Sequence, residues 1–306
     1  MNEIFIHEVG LRDGLQMEKQ VVPLEHKVRW TEQLIAAGID IIQLGSFVHP
    51  DKVPQMADTD KLFEYFNAPG HKPVRTILSG LVLNEKGLER GDRCGVEMFC
   101  MGVSASDTHS RKNTGMSTEE AATRIIAMGK QAASQGKNVQ VSVQSAFGCG
   151  FEGIIPPERV LLLVRRYLEA GLTHISLADT AGHAQPYQVR KLIEQVLAID
   201  PSVQCSCHFH DTYGMGMANT VAAMDLGIQY FESSFAGLGG CPFTKVAAGN
   251  ICTEDLVHFL QRIDRRSDID LTKLIALSKD VSAFFQREMP GHVYKTGPLQ
   301  STLKSL

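Results

Sequence analysis

Late in the chain, Cys205-Ser206-Cys207-His208-Phe209-His210-Asp211-Thr212-Tyr213-Gly214 places two histidines two residues apart in a β-rich run. With the side-chain period of 2 of a strand, His208 and His210 share one face while Cys207 and Phe209 take the other. Two imidazoles facing the same way near a strand end can chelate one cation, whereas a lone histidine would more often be a satisfied core residue. Cys205 and Cys207 fall on the opposite face, which disfavours a Cys/His zinc site. Near the start, Glu8-Val9-Gly10-Leu11-Arg12-Asp13-Gly14-Leu15-Gln16 offers a cation for a developing enolate oxygen and a hard oxygen ligand for a metal. The dipeptide Arg12-Asp13 by itself would read as a surface ion pair. A third segment, Ala236-Gly237-Leu238-Gly239-Gly240-Cys241-Pro242-Phe243, clusters glycines that let backbone approach a ligand. A thiol there can act as general acid or base, because Cys titrates close enough to neutral pH; the competing reading is a buried structural cysteine. Asn250 follows with a neutral oxygen for a metal. Ser176 and Asp179 fall where a substrate would lie, although Asp-Thr before Gly is also turn chemistry.

These residues need elements to hold them. Short β-rich runs alternate with longer amphipathic segments, the pattern of a parallel sheet. Candidate strands are Ile4–Val9, Ile39–Gly45, Val74–Leu78, Val96–Val103, Val139–Gln144, Ile175–Ala178, Val203–His210 and Tyr230–Phe235. Helical patterns include Leu24–Ala37, Thr118–Ser134, Glu158–Ala170 and Pro186–Ala198. Ser117 with Glu120 suits a capping box, and Gly38, Gly136, Gly171 and Gly227 suit helix ends. Eight units without a linker, and no Gly-x-Gly-x-x-Gly turn after the first strand, favour a closed (β/α)8 TIM barrel over an open dinucleotide-binding sheet. The expected organisation is one domain over 1–306. The barrel takes about 1–265, and 266–306 form an extension with a short appended C-terminal helix and tail. In such barrels the active site lies at the C-terminal ends of the strands, where the candidate residues fall.

The bulk numbers agree. The chain has 306 residues, 43% hydrophobic and 21% charged, ordinary for a globular protein. A formal net charge of −4 without runs of like charge argues against nucleic-acid or membrane-surface partners. No stretch approaches the roughly 20 apolar residues of a bilayer-spanning helix. Seven cysteines without a C-x-x-C spacing read as reduced thiols. A cytoplasmic protein is expected.

Taken together, these segments resemble the hydroxymethylglutaryl-CoA lyase family of metallolyase barrels, from the first strand to about Leu260. The most specific match is Ala236 to Pro242, followed by Ala248-Gly249-Asn250 and Thr253-Glu254-Asp255-Leu256. Arg12 to Gln16, Ser46-Phe47-Val48, Val53 to Asp58 and His208 to Gly214 also match. The resemblance implies one divalent cation, Mg2+ or Mn2+, bound by Asp13, His208, His210 and Asn250. It implies Arg12 stabilising an enolate, Cys241 transferring a proton, and Asp179 near the substrate hydroxyl. Ser46 and Ser176 would contact substrate, and Lys19 would lie toward the CoA moiety. A homodimer is expected.

The implied reaction is retro-Claisen or retro-aldol cleavage of a 3-hydroxyacyl-CoA to acetyl-CoA and a keto acid, with Asp179 or a nearby His accepting the hydroxyl proton. Two segments depart from the family pattern. Gln43 stands where the lyases usually carry Glu, and the tail Pro290-Gly291-His292-Val293-Tyr294-Lys295-Thr296-Gly297 differs. Gln43 shares a face with Ile39 and Ile41 and would project beside Arg12, bearing on substrate choice. The rival readings are a lyase for another substrate such as citramalyl-CoA or a branched glutaryl-CoA, a Claisen-type synthase, and an inactive binding barrel.

Overall fold

The computed structural model describes residues 3–240 and 249–299. In chain order the elements are β1 (Phe5–Glu8), α1 (Leu24–Ala37), β2 (Ile41–Ser46), α2 (Thr59–Asn67), β3 (Ile77–Leu81), α3 (Glu85–Arg93), β4 (Met98–Ser104), α4 (Asp107–Thr114), α5 (Thr118–Ser134), β5 (Asn138–Gln144) and α6 (Pro157–Glu169). There follow β6 (His174–Asp179), α7 (Pro186–Ile199), β7 (Gln204–Phe209), α8 (Gly216–Met224), β8 (Tyr230–Ser233), α9 (Thr253–Arg262), α10 (Leu271–Phe285) and α11 (Val293–Thr296). All strand pairs are parallel, and β1 pairs with both β2 and β8, closing an eight-stranded barrel. The expected TIM barrel is the observed fold.

The helices end where the sequence says they should. Ser117 and Glu120 form a reciprocal capping box at α5, and α1 stops at Gly38, whose φ of 91° only glycine adopts freely. One strand is displaced. β3 runs from Ile77 to Leu81 rather than from Val74, and Val74 is exposed. Ser79-Gly80 resembles a turn but continues the strand, because Ser79 faces the polar barrel interior and donates or accepts a hydrogen bond with His7 Nε2 at 2.8 Å. Gly80 lies on the other face, where a Cβ would come within 2.9 Å of the Phe47 ring.

The core is chiefly the annulus between strands and helices. Cys205, Cys207 and Phe209 belong to it, confirming that they point away from His208. Among the described residues, a small apolar patch of Ile41, Met98 and Cys100 packs together inside the barrel with Ile77 and Leu81. Helix α10 is no loose appendage. It packs on α1, with the Trp30 indole donating to Asp280 at 2.6 Å and its ring edge-on to Phe284.

The segment Val53–Asp58 also proves structural. The Lys27 ammonium of α1 is buried and donates to the carbonyl of Gln55 at 2.6 Å and to Asp58. This contact fixes the loop that carries Val53 to the pocket wall. Lys27→Met should therefore lower the unfolding free energy by about 2 kcal/mol, the scale of a hydrogen bond to a charged group. Denaturant melts with activity measured per folded molecule would check this; unchanged stability would mean the ammonium is no anchor.

Candidate active site

The chain leaves β1 through a π-helical turn over Gly10–Gly14, a rare conformation associated with functional sites. The Val9 carbonyl accepts from the N–H groups of Arg12 and Asp13 at 3.1 and 2.7 Å, so two successive side chains are held at the barrel mouth. They line a cavity of about 240 Å³ together with Gln43, Ser46, Ser176, His208, His210 and Gly240. Arg12, Asp13, Gln43, Ser46, Ser176, His208 and His210, each a candidate named from sequence, all line this wall.

At its edge Asp13, His208 and His210 bring their ligand atoms within 4.8 Å of one another, and all three are buried. Asp13 Oδ2 lies 3.9 Å from His208 Nε2 and 3.7 Å from His210 Nε2, and the two Nε2 atoms are 3.0 Å apart. His210 lies just past the end of β7 and is tied to Asn250 by an isolated bridge between the two chain segments. Asn250 donates from Nδ2 to Asp13 Oδ2 at 2.9 Å, while its buried Oδ1 finds no partner among the described residues. An orphaned amide oxygen beside a carboxylate and two imidazole nitrogens fits a cation taking mixed oxygen and nitrogen donors. The fit requires Gly239, with φ of 122°: a Cβ there would sit 2.5 Å from Asn250 Nδ2.

The electrostatics suit a cation as well. Burial works to raise the Asp13 pKa, but Arg12, the two histidines and the Asn250 hydrogen bond outweigh it and hold the carboxyl well below its usual range. Arg12 donates from Nε to Gln43 Oε1 and from Nη1 to Asp13 Oδ1, so its fork is already oriented. Gln43 is buried and lies close enough to the Cys100 thiol to offset part of the upward push that burial gives it. Ser46 Oγ lines the pocket with no partner among the described residues, which leaves it available to a ligand.

Other expected site residues are placed differently. Asp179 does not line the pocket. It lies three residues from Ser176 in β6, so the two side chains take opposite faces. Its Oδ1 accepts from the N–H groups of His183 and Ala184 at 2.8 and 3.1 Å, holding the loop after β6. Burial pushes its pKa up to about 7. Ser176 lines the pocket but donates its hydroxyl to Glu232 at 2.6 Å. Lys19 is exposed beyond the π-helical turn and is not part of the wall. Cys241 lies outside the described residues.

Glu232 went unnoticed in the sequence. It is buried at an inward position of β8, level with His208 in the register, and its Oε2 is 2.8 Å from His208 Nδ1. A carboxylate within the β-rich run Tyr230–Phe235 was the available signal. Glu8 was also missed as an anchor. On the outer face of β1 it accepts from the N–H groups of Gly10 and Phe235 at 2.7 and 3.0 Å and from the Thr253 hydroxyl at 2.5 Å. These bonds join the π-helical turn to the stem of the glycine-rich loop, where Ala236 N–H also donates to Glu254 at 3.1 Å.

The HMGL-like family model matches residues 3–281. The hydroxymethylglutaryl-CoA lyase YngG of Bacillus subtilis is 35% identical, over 94% of this chain and 95% of its own length. The (R)-citramalyl-CoA lyase of Chloroflexus aurantiacus is 36% identical over 100% of this chain and 98% of its own. The structure of an HMG-CoA lyase from Acinetobacter baumannii, in complex with coenzyme A and 3-methylmalate, superposes with a TM-score of 0.90 at 35% identity, covering 99% of this chain and 98% of that one. The family model, the relatives and the fold agree: the chain belongs to the HMGL-like family of hydroxymethylglutaryl-CoA lyase-like carbon–carbon lyases.

Proposed function

We propose that this protein cleaves a 3-hydroxyacyl-CoA, hydroxymethylglutaryl-CoA or a close analogue, into acetyl-CoA and a keto acid, with a divalent cation, Mg2+ or Mn2+, held by Asp13, His208, His210 and Asn250. The observation that carries the reading is the convergence of Asp13, His208 and His210 beside Arg12, with the Asn250 oxygen left over. A bound cation would supply Lewis acidity toward the hydroxyl and carboxylate oxygens of the substrate. The residues of the chain do the rest. As the C2–C3 bond of the acyl group breaks, the C3 hydroxyl gives its proton to a histidine of the pocket wall and becomes the carbonyl of the keto acid, and the electron pair of the broken bond stays on the shorter acyl-CoA as an enolate. Arg12, braced by Gln43 and Asp13, directs charge-assisted donors to the enolate oxygen. Cys241 returns a proton to the enolate carbon. Asp179, outside the pocket wall, is given the structural task of holding the loop after β6 rather than that of a base.

The citramalyl-CoA lyase, which aligns over the whole chain, makes citramalyl-CoA the second substrate to test. The decisive assay is a panel of 3-hydroxyacyl-CoAs with Mg2+ or Mn2+ supplied, followed for acetyl-CoA release; cleavage of none would overturn the reading. Within it, Gln43 should mark the substrate. Its amide oxygen faces Arg12 and its other side meets Cys100, so a carboxylate here would give the guanidinium a second full ion pair besides Asp13. Gln43→Glu should shift the ratio of specificity constants between two substrates by at least threefold, about 0.65 kcal/mol. A smaller shift, in an enzyme already preferring hydroxymethylglutaryl-CoA, would make the amide silent. A cytoplasmic homodimer completes the proposal, and the six described cysteines, all unpaired, support a reducing compartment.

A further inference from the structure

We propose that Glu232 is a positioning residue for the metal centre: supported by Ser176, it holds the His208 ring with its proton on Nδ1, so that the Nε2 lone pair faces the cation site. The inference rests on the metal reading above, but its core claim, the tautomer, concerns the protein alone.

Three neighbouring strands build the arrangement. Ala178 of β6 is the register partner of His208 in β7, and His208 is in turn the partner of Glu232 in β8. Ser176 Oγ donates to Glu232 Oε1 at 2.6 Å, and His208 Nδ1 stands 2.8 Å from Oε2. All three side chains are buried at the cavity wall, so little of these bonds is open to water. Both carboxylate oxygens are therefore engaged, one by a hydroxyl that can only stabilise it and the other by the imidazole.

The tautomer follows from what faces what. Were the proton of a neutral His208 on Nε2, the Nδ1 lone pair would point at a carboxylate oxygen 2.8 Å away, two acceptors in contact without water between them. With the proton on Nδ1 that contact becomes a charge-assisted hydrogen bond, and the Nε2 lone pair turns toward His210 Nε2 at 3.0 Å and Asp13 Oδ2 at 3.9 Å. If Glu232 only filled space, a branched apolar side chain would serve, as it does at most inward positions of such barrels. A buried carboxylate bonded on both oxygens, one of them to a ligating imidazole, is instead the arrangement that orients metal-binding histidines. The Ser176 hydroxyl is accordingly spent on Glu232 rather than on substrate.

The test uses chelator-stripped wild type, Glu232→Gln and Ser176→Ala, titrated with Mn2+ by calorimetry or paramagnetic resonance, with thermal melts of the metal-free proteins. Glu232→Gln keeps the shape but loses the charge, and its amide can turn a donor toward Nδ1. It should weaken Mn2+ binding about 10- to 100-fold, with turnover largely recovered at saturating Mn2+ and the metal-free melt little changed. Ser176→Ala should move Mn2+ affinity the same way by less. Nitrogen-15 NMR of the metal-free wild type should show His208 protonated on Nδ1. Unchanged Mn2+ affinity in Glu232→Gln, or a neutral wild-type His208 carrying its single proton on Nε2, would overturn the inference. Should Glu232→Gln fail to fold, Ser176→Ala and the wild-type tautomer decide it. A wild type that binds no Mn2+ sinks the metal reading, while the NMR result still judges the role of Glu232.

Discussion

His210→Ala is expected to come through purification without its divalent metal and without lyase activity. Three buried groups supply the charged or strongly basic donors of the site, and His210 is one of them. Its Nε2 stands 3.0 Å from that of His208 and 3.7 Å from Asp13 Oδ2, so its removal leaves one imidazole and one carboxylate, with Asn250 as a weak neutral donor. Hard divalent cations such as Mg2+ and Mn2+ need fixed oxygen and nitrogen ligands in place to be retained against buffer. The fold should survive, because His210 lies just past the end of β7 and the barrel closes through strand pairs that do not include it. Metal analysis after dialysis, alongside acetyl-CoA release by the same sample, checks both halves. Full activity in the variant after chelation and dialysis would remove His210 from the ligand set.

The histidine pair of this proposed set is legible in sequence because strand parity carries it, whereas Asp13 and Asn250 joined it through the family resemblance. His208 and His210 had to share a face, and Cys207 and Phe209 had to leave it, and that is how β7 is built. The same rule, applied to β6, separates Ser176 from Asp179; reading both as substrate contacts ignored an odd spacing. Glu232 was passed over because a charge counts against a strand buried on both faces. That expectation assumes an apolar barrel interior, whereas here Gln140 and Ser206 meet His174 inside the barrel, and Ser176 and His208 meet Glu232. The polar lining likewise explains why Ser79-Gly80 extends β3 instead of ending it. The long amphipathic helices α1 and α5 were bounded correctly because periodicity and end signals agree within each segment. What local patterns cannot carry is the pairing of residues distant in the chain. The contacts of Asn250 with Asp13, Thr253 with Glu8 and Asp280 with Trp30 exist only once the barrel has closed.

Cys241→Ala should cost on the order of 10²–10⁴ in turnover, the usual range for a group that transfers a proton, while the melting temperature hardly moves. The chain up to that residue supports this. Gly237 and Gly239 adopt φ of 66° and 122°, backbone that favours glycine, and Gly240 already lines the pocket. Gly240, the last described residue before Cys241, thus stands at the pocket wall, beyond a stem anchored by Glu8 and Glu254. Three of the described thiols are poorly suited to the step. Burial pushes Cys100 up to about 12 and holds Cys207 and Cys252 well above the ordinary thiol range, so none of these three would exchange a proton readily near neutral pH. Because the enolate must be protonated at carbon, loss of the donor should appear in kcat with little change in metal affinity, which separates this variant from His210→Ala. Turnover, Mn2+ binding and thermal melts on one preparation test the assignment. A melting temperature that falls sharply while turnover stays intact would make Cys241 a packing residue and leave the protonation step to another group.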